Sequence, residues 1–513
     1  MSDWTSGYVA DIGYTFGYYS ELNPLRARLA FLNQGLVCPT RFENACELGF
    51  GQGLSANIHA SASCTKWWGT DFNPSQASFA QELARASANG ASLFDEAFAE
   101  FCNRSDLPEF DFIGLHGIWS WISDENRGRI VDFVRRKLRV GGVLYVSYNT
   151  LPGWATFAPM RHLMTEHAEV IGAEGRGIVN RINDAIEFAD KLLATNPIFA
   201  RANPFITERI KKLKDQNRHY LAHEYFNRDW HPMHFSTMAE WLEPAKVQYA
   251  CSANYIDHIE VANLTSEQQE FLKEIPDRMF RESVRDFMVN QQFRRDYWVK
   301  GSRKLTISEH EQQLRAQRII LVQPRTNVKL KVTGHLGEAN LSAAVYEPIL
   351  GLLEDHKPKS LGEVADQLAL SNIRLGQVVQ AATALVGAGY CLPVSHSEDS
   401  LPSSIALNRH IMQRAHSSNE IGFLSSTVLE GGFSISRFQQ LFLLHYMDFG
   451  LRDKVSLAKA AWKALESQNQ RILKEGKTLS TPEENIRELE EQAEEFLSSV
   501  LPILSELKAV QTR

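Results

Sequence analysis

The sequence predicts an α/β domain with a parallel sheet in the first third of the chain, followed by mainly helical accessory domains. Three observations carry this. Over 42–150, short apolar runs alternate with helical patterns, as βαβ units require. The first of those strands runs into a glycine-rich bend, Glu47-Leu48-Gly49-Phe50-Gly51-Gln52-Gly53, and then a helix. Beyond about residue 155 the alternation gives way to helical pattern punctuated by Pro159, Pro197, Pro204, Pro232, Pro244 and Pro276.

Taken in order, residues 1–40 read as an N-terminal arm whose aromatic stretch Tyr14-Thr15-Phe16-Gly17-Tyr18-Tyr19 is suited to act as a lid. Residues 41–155 form the ligand-binding domain. Strands are expected at 42–48, 66–70, 110–115 and 142–148, with a third-position strand ending near Asp95. Helices are expected at 54–62, 74–89 and 125–138. The last ends in Arg135, Arg136, Lys137 and Arg139, cations that suit a helix C-terminus. Residues 156–305 are expected to be a helical region. Residues 306–395 offer a strand pair, IILVQP and VKLKVTG, then helix, helix, helix, strand, an order compatible with a winged helix. SHSEDSLPSS at 395–404 is a linker, and 405–513 is helical, with Thr481, Pro482 and Glu484 opening one of its helices.

Composition narrows the function. A length of 513 residues implies roughly three or four domains. The net charge of -7 argues against a broad nucleic-acid surface. Cys38, Cys46, Cys64, Cys102, Cys251 and Cys391 include no CxxC pair, and no H-E-x-x-H spacing exists, so no metal is expected. The N-terminus lacks the basic start and apolar core of a signal peptide, and no window spans a membrane. A cytoplasmic protein with no membrane or nucleic-acid partner is expected. Arg278, Arg281, Arg285, Arg294, Arg295, Lys300, Arg303 and Lys304 are interleaved with Asp277, Glu282, Asp286 and Asp296, which reads as a solvated helix face with i,i+4 ion pairs.

The glycine bend has the spacing E-x-G-x-G-x-G rather than the G-x-G-x-x-G of dinucleotide enzymes, which seat a pyrophosphate on the helix N-terminus. S-adenosyl-L-methionine has no phosphate but carries an ammonium and a sulfonium, and Glu47 at the loop entrance suits that charge. Gly49, Gly51 and Gly53 let the ligand approach the backbone, with Phe50 between them. Asp71 follows Gly51 by twenty residues at the end of the second strand, where a carboxylate can accept both ribose hydroxyls. Asp95 is expected to bind the adenine amino group. Phe72, Asn73, Phe94 and Ala97 are expected to wall the adenosine, and Tyr18 to close over it. The ends of the fourth and fifth strands face the methyl group in such a domain and carry His116, Trp119, Trp121, Tyr148 and Asn149. With Tyr14 of the arm, His116, Trp119, Tyr148 and Asn149 are the candidate catalytic residues. His116 can accept a proton, and the aromatic faces can cage a cation.

This pattern resembles the Rossmann-like class I S-adenosylmethionine-dependent methyltransferases over 40–150. The combination YTFGYYSELNP, ELGFGQG, LHGIWSWI and SYNTLPGW, then YLAHEYFNRDWHPMHF and RDFMVNQQFRRD, is similar to the bacterial group that carries a methyltransferase regulatory domain. That group includes rickettsial protein lysine methyltransferases. The resemblance implies a class I catalytic domain, a helical dimerisation region, middle and C-terminal domains around an open cavity, a homodimer, and protein lysine side chains as acceptors. His223 and Glu224 are expected on a segment docking beside the active site. Two alternatives stand beside a protein substrate: methylation of a sugar, lipid precursor or other small molecule, and a non-catalytic regulator that senses S-adenosylmethionine.

Overall fold

The computed structural model describes residues 15–172, 174–395 and 401–510. Its centre is a seven-stranded sheet. Helix α1 (Pro24–Asn33) precedes it. The chain then runs β1 (Asn44–Leu48), α2 (Leu54–Ala62), β2 (Lys66–Thr70), α3 (Pro74–Ser87), β3 (Ser92–Phe94), α4 (Phe98–Phe101), β4 (Phe110–Leu115), α5 (Asp124–Lys137) and β5 (Leu138–Asn149). Far downstream, β6 (Val247–Ser252) and β7 (Phe293–Lys300) complete the sheet in the order β3-β2-β1-β4-β5-β7-β6. The first five strands are parallel; β7 runs antiparallel to β5, and β6 antiparallel to β7.

Local chemistry explains these elements. Every residue of β4, FDFIGL, is buried, as a central parallel strand covered on both faces demands. Helix α5 is capped by Ser123, which accepts from the Asn126 N–H, and carries Asp124 and Glu125 in its first turn and Arg135, Arg136 and Lys137 in its last. Because β1 lies between β2 and β4, the chain leaves the sheet on opposite sides of it, which opens a crevice at the strand C-termini.

The helical region expected over 156–305 divides in two. Helices Ala158–Val170, Ile178–Ala194, Ile206–Lys214 and Arg218–Tyr225 share a core of Met160, Ile182, Ile186, Ile210 and Leu221. The remainder returns to the sheet as β6 and β7, so the parallel domain does not end at 155. The three helices and strand of the middle region are Ala343–Leu353, Leu361–Gln367, Leu375–Gly387 and Cys391–Val394. The expected strand pair is not one. Strand Arg318–Leu321 pairs with Lys359–Ser360 and Cys391–Val394, while Lys331–Gly334 folds back on Gly337–Asn340. A two-residue turn lets that hairpin close locally, with Gly337 at a φ of 101°.

Of the linker at 395–404, residues 396–400 lie outside the described residues, and helix Pro402–Arg414 begins within its far end. The C-terminal region is helical except for a short hairpin, Leu473–Lys474 with Lys477–Thr478, and a longer one, Phe423–Ser426 with Gly431–Ser434, which packs on the same side as helix Pro402–Arg414. Helix and hairpin pack against α2 and α3, where Leu54, Ile58 and Leu83 share a core with Leu407, Ile411 and Leu424. Among the described residues no helix is long and apolar enough to cross a membrane.

Candidate active site

The crevice at the C-terminal ends of β1, β2 and β4 holds a cavity of about 470 Å³. Its floor is the glycine bend. Gly49, Gly51 and Gly53 have φ of 72°, 57° and 67°, a left-handed region that side chains resist. A Cβ on Gly53 would also stand 2.4 Å from the Ala80 Cβ, so the bend is fixed by packing as well as by dihedral.

Asp71 closes β2 and is bound into that bend. Its Oδ2 accepts from the Gly51 N–H at 2.8 Å and its Oδ1 from the Asn73 N–H at 3.0 Å. Burial pushes its carboxyl up to about 6, against the pull of those two donors. Glu47 is buried beneath, and its Oε2 has no hydrogen-bond partner among the described residues. Burial, then the neighbouring Asp71 charge, pushes Glu47 up to about 8. A buried carboxylate oxygen without a partner beside an open cavity is costly unless a cationic donor meets it. The site therefore fits a ligand that has hydroxyls near Asp71 and a positive group near Glu47, and S-adenosylmethionine has both.

The cavity wall gathers most of the expected cofactor residues: Glu47, Gly49, Phe50, Gly51, Asp71, Phe72, Ala97 and His116. Gly53 caps α2 just behind them. Three of the expected residues do not line the cavity. Asp95 is solvent-exposed and does not line the cavity; because β3 ends at Phe94, the next residue, Glu96, lines it, with its carbonyl accepting from the Thr70 hydroxyl and its carboxylate paired to Arg104 at 2.6 Å. Asn73 is the N-cap of α3, its side chain accepting from Ser75, and stands outside the wall. Tyr18 points to the C-terminal hairpin. Its hydroxyl accepts from the Gly432 N–H at 2.8 Å and meets His59 Nε2 at 3.1 Å. The adjacent Tyr19 enters the cavity instead, its N–H anchored on Ser55 Oγ at 2.9 Å.

Of the candidate catalytic residues that the structure describes, His116 alone lines the cavity. Its ring stacks on Tyr19 with centroids 3.6 Å apart, and its Nδ1 shares a hydrogen bond of 2.8 Å with the Tyr145 hydroxyl. Burial pushes His116 down to about 4, so it is uncharged and a weak base near neutral pH. Below it, burial pushes the Glu21 carboxyl up while Arg295, at 2.6 Å, and Arg26 pull it to a net position below its ordinary value. Trp119 is buried in the core against Trp241. The Tyr148 hydroxyl donates to Asp296 Oδ2 at 2.8 Å, and the Asn149 carboxamide accepts from Trp154 Nε1 at 3.2 Å. Strand geometry accounts for Tyr148: alternate β5 side chains take opposite faces, and Tyr145 has the face that meets His116. Tyr14 lies outside the described residues.

The outer wall comes from two other places. The turn after β4 supplies Gly117, Ile118, Trp121 and Ser123, and the start of α5 supplies Glu125 and Arg129. Helix Arg218–Tyr225 and its following loop supply His223, Glu224, Arg228 and Asp229. His223 and Glu224 thus stand where the sequence expected them. Tyr19 and Glu96 were one residue away from the expected choices, whereas Gln52 and Gln76, also lining the cavity, carry no signal beyond their nearness to the glycine bend and α3. Among the described residues no cluster of His, Cys, Asp and Glu is placed to hold a metal.

Comparison with known proteins agrees with this fold. A predicted methyltransferase regulatory domain matches residues 217–300, the span of helix Arg218–Tyr225, β6 and β7. The uncharacterized protein sll1526 of Synechocystis is 40% identical over 511 residues, covering 98% of this chain and 99% of the relative. The uncharacterized protein RP789 of Rickettsia prowazekii is 23% identical over 78% of this chain and 77% of its own. The structure of PKMT2 from Rickettsia typhi in complex with AdoHcy superimposes with a TM-score of 0.69 at 18% identity, covering 97% of this chain and 99% of that one. The chain belongs to one family with sll1526, carries the span matched by a predicted methyltransferase regulatory domain at residues 217–300, and shares the fold of the PKMT2 structure.

Proposed function

We propose that this protein transfers the methyl group of S-adenosylmethionine to lysine side chains of a protein substrate. The observation that carries the cofactor half is the Glu47–Asp71 pair around the glycine bend, where one carboxylate is tied to the backbone and the other has an unpartnered buried oxygen. Asp71 would hold the ribose, Glu47 the ammonium, and Phe72 and Ala97 the adenine side of the cavity. When bound, S-adenosylmethionine supplies a methyl group already activated on a sulfonium.

What remains for the chain is to orient the acceptor and exclude water. The lysine acceptor is supported by the cavity's outer wall. Glu224 and Asp229 offer carboxylates to an incoming ammonium, Glu125 being paired to Arg129, and the faces of Tyr19 and Trp121 offer cation–π contact. His116, uncharged near neutral pH, adds a polar wall that does not repel that cation. A polypeptide acceptor also suits a chain with more than half its length outside the parallel strands and their helices.

The test is incubation of the full chain with methyl-labelled S-adenosylmethionine and bacterial lysate, followed by protein electrophoresis and amino-acid hydrolysis. Label recovered as methyllysine in a protein band supports the reading. Label confined to small molecules rejects the protein acceptor, and absence of any transfer rejects the enzyme.

A further inference from the structure

The basic run beginning at Arg278 does not form the solvated ladder of i,i+4 pairs that its interleaved acids suggest. Asp277 is spent as the N-cap of helix Arg278–Met288, accepting from the Phe280 N–H at 2.7 Å. Glu282 and Asp286 turn inward to Arg294, at 2.8 and 2.6 Å. Arg278, Arg281 and Arg285 take no part in those pairs with Arg294, and all three line one cleft of about 370 Å³ between β6, helix Ser266–Glu274 and their own helix.

Of the three acids that line the cleft, Asp257 and Glu282 are already engaged. Asp257 accepts from the Ser252 hydroxyl at 2.7 Å and from Asn254 Nδ2 at 3.0 Å, with Arg285 4.0 Å away. Glu282 accepts from Arg294 and from the Tyr249 hydroxyl at 3.1 Å. Glu260 stands exposed at the rim, and Lys273 is matched by Glu270 at 2.7 Å. Arg278 rests over the Tyr249 ring and donates to the Ala250 carbonyl. Arg281 has no side-chain hydrogen bond or ion pair among the described residues, and its Nε is buried. Across the cleft, His258 Nε2 donates to the Ser252 carbonyl at 2.8 Å, which leaves Nδ1 as an acceptor; that atom too is buried without a partner. One side of the cleft is therefore short of an anion and the other short of a donor.

We propose that this cleft binds a small phosphate ester bearing hydroxyl or N–H donors, its phosphate held by Arg281 with Arg278 and Arg285 and its donor end facing His258. Guanidinium groups from successive helix turns present more N–H donors than the two oxygens of a carboxylate can use, and planar forks match phosphate oxygens in pairs. The volume exceeds what inorganic phosphate fills and falls in the range of small-molecule sites, roughly 300–1,000 Å³. The site is separate from the glycine bend and does not depend on the proposed methyl transfer. It has a physical route to the catalytic sheet, since the same helix grips Arg294 on β7 through Glu282 and Asp286.

The test is calorimetric titration of the full chain with ribose 5-phosphate and, separately, with inorganic phosphate, for wild type and Arg281→Gln. Saturable binding of ribose 5-phosphate is expected, tighter than that of inorganic phosphate and weakened about tenfold or more by the substitution, as loss of a charge-assisted hydrogen bond requires. S-adenosylhomocysteine affinity should be the same in both proteins, which reports an intact fold and keeps this result independent of the main site. The proposal is overturned by absence of saturable binding, by equal affinity for the two probes, or by an unchanged affinity in the variant.

Discussion

Asp71 and Gly51 are joined side chain to backbone across the glycine bend, Oδ2 to N–H at 2.8 Å, so the acid that would grip a ribose is held in place by the loop that would seat the ligand. Substituting Asp71 therefore disturbs both functions of the bend. Asp71→Asn should weaken S-adenosylhomocysteine binding by about tenfold or more, because a carboxylate acceptor becomes half donor. Calorimetric titration reads this directly, and wild-type affinity in the variant would remove Asp71 from the site.

Glu47 has the opposite balance between stability and binding. Burial raises its carboxyl to about 8, so the folded protein holds a proton there that the unfolded chain has released. With more protons bound in the folded state, unfolding free energy falls as pH rises from the ordinary glutamate value to about 8. Glu47→Gln removes that loss. The variant should gain about 1 kcal/mol or more over wild type at slightly alkaline pH, since one pKa unit corresponds to about 1.4 kcal/mol. It should also lose ligand affinity, along with the proton release that accompanies binding of a cation against Glu47. Urea unfolding across pH, and titrations in two buffers of different ionisation enthalpy, check the two halves; a variant that is less stable and binds normally contradicts both.

Neighbouring tyrosines of the N-terminal arm separate binding from packing. Tyr18→Phe removes the hydroxyl shared by Gly432 and His59 and should cost about 1–3 kcal/mol of stability without changing S-adenosylhomocysteine affinity. Tyr19→Ala removes the ring stacked on His116 and should weaken the ligand several-fold, roughly the 0.5–1.5 kcal/mol of an aromatic contact, with a smaller effect on stability. Unfolding curves and titrations on both variants decide it, and a reversal of the two phenotypes would place Tyr18 in the site.

These two residues also show what the sequence could reveal. Strand-to-helix alternation placed β1, β2, β4 and β5, and the spacing from Gly51 to Asp71 located the bend and its acid. What period and spacing do not give is the face of a side chain at an irregular strand end. Asp95 against Glu96 turns on that, Tyr148 against Tyr145 on which face of β5 meets the crevice, and Tyr18 against Tyr19 on a segment that is neither strand nor helix. Strands β6 and β7 were missed for another reason. In β7, Phe293–Lys300, Arg294 and Asp296 are 4% and 1% exposed, so a run that reads as solvated charge is a buried strand whose charges satisfy one another. No binary hydrophobic pattern signals such a strand.

That buried network predicts its own mutant. Arg294 is held by Asp286 at 2.6 Å, Asp296 at 2.9 Å and Glu282 at 2.8 Å, and Tyr148 donates to Asp296. Arg294→Met strands carboxylates away from water and should cost about 3–5 kcal/mol, the scale for breaking a buried pair from one side. Arg135→Gln, which breaks an exposed pair with Asp132, should change stability by about 0.5 kcal/mol or less. Comparable urea midpoints for the two variants would mean that β7 is not held by its charges.

The histidines set the response to acid. Burial pushes His59 down to about 3 and is the largest influence holding His116 near 4. Between those values and the ordinary imidazole value, the unfolded chain binds protons that the folded one refuses, so each histidine lowers stability as pH falls. Glu47 and Asp71 act in the other direction, which makes the wild-type pH curve a difference of opposing terms. A substitution isolates one of them. His59→Gln should gain on wild type by about 1.4 kcal/mol per pH unit as pH falls below the imidazole's ordinary value, until the folded ring itself titrates. At neutral pH it should lose the Tyr18 contact and be the less stable of the two. Tryptophan fluorescence in urea at neutral and mildly acidic pH measures both, and two stability curves that run parallel would show that His59 is not held neutral by the fold.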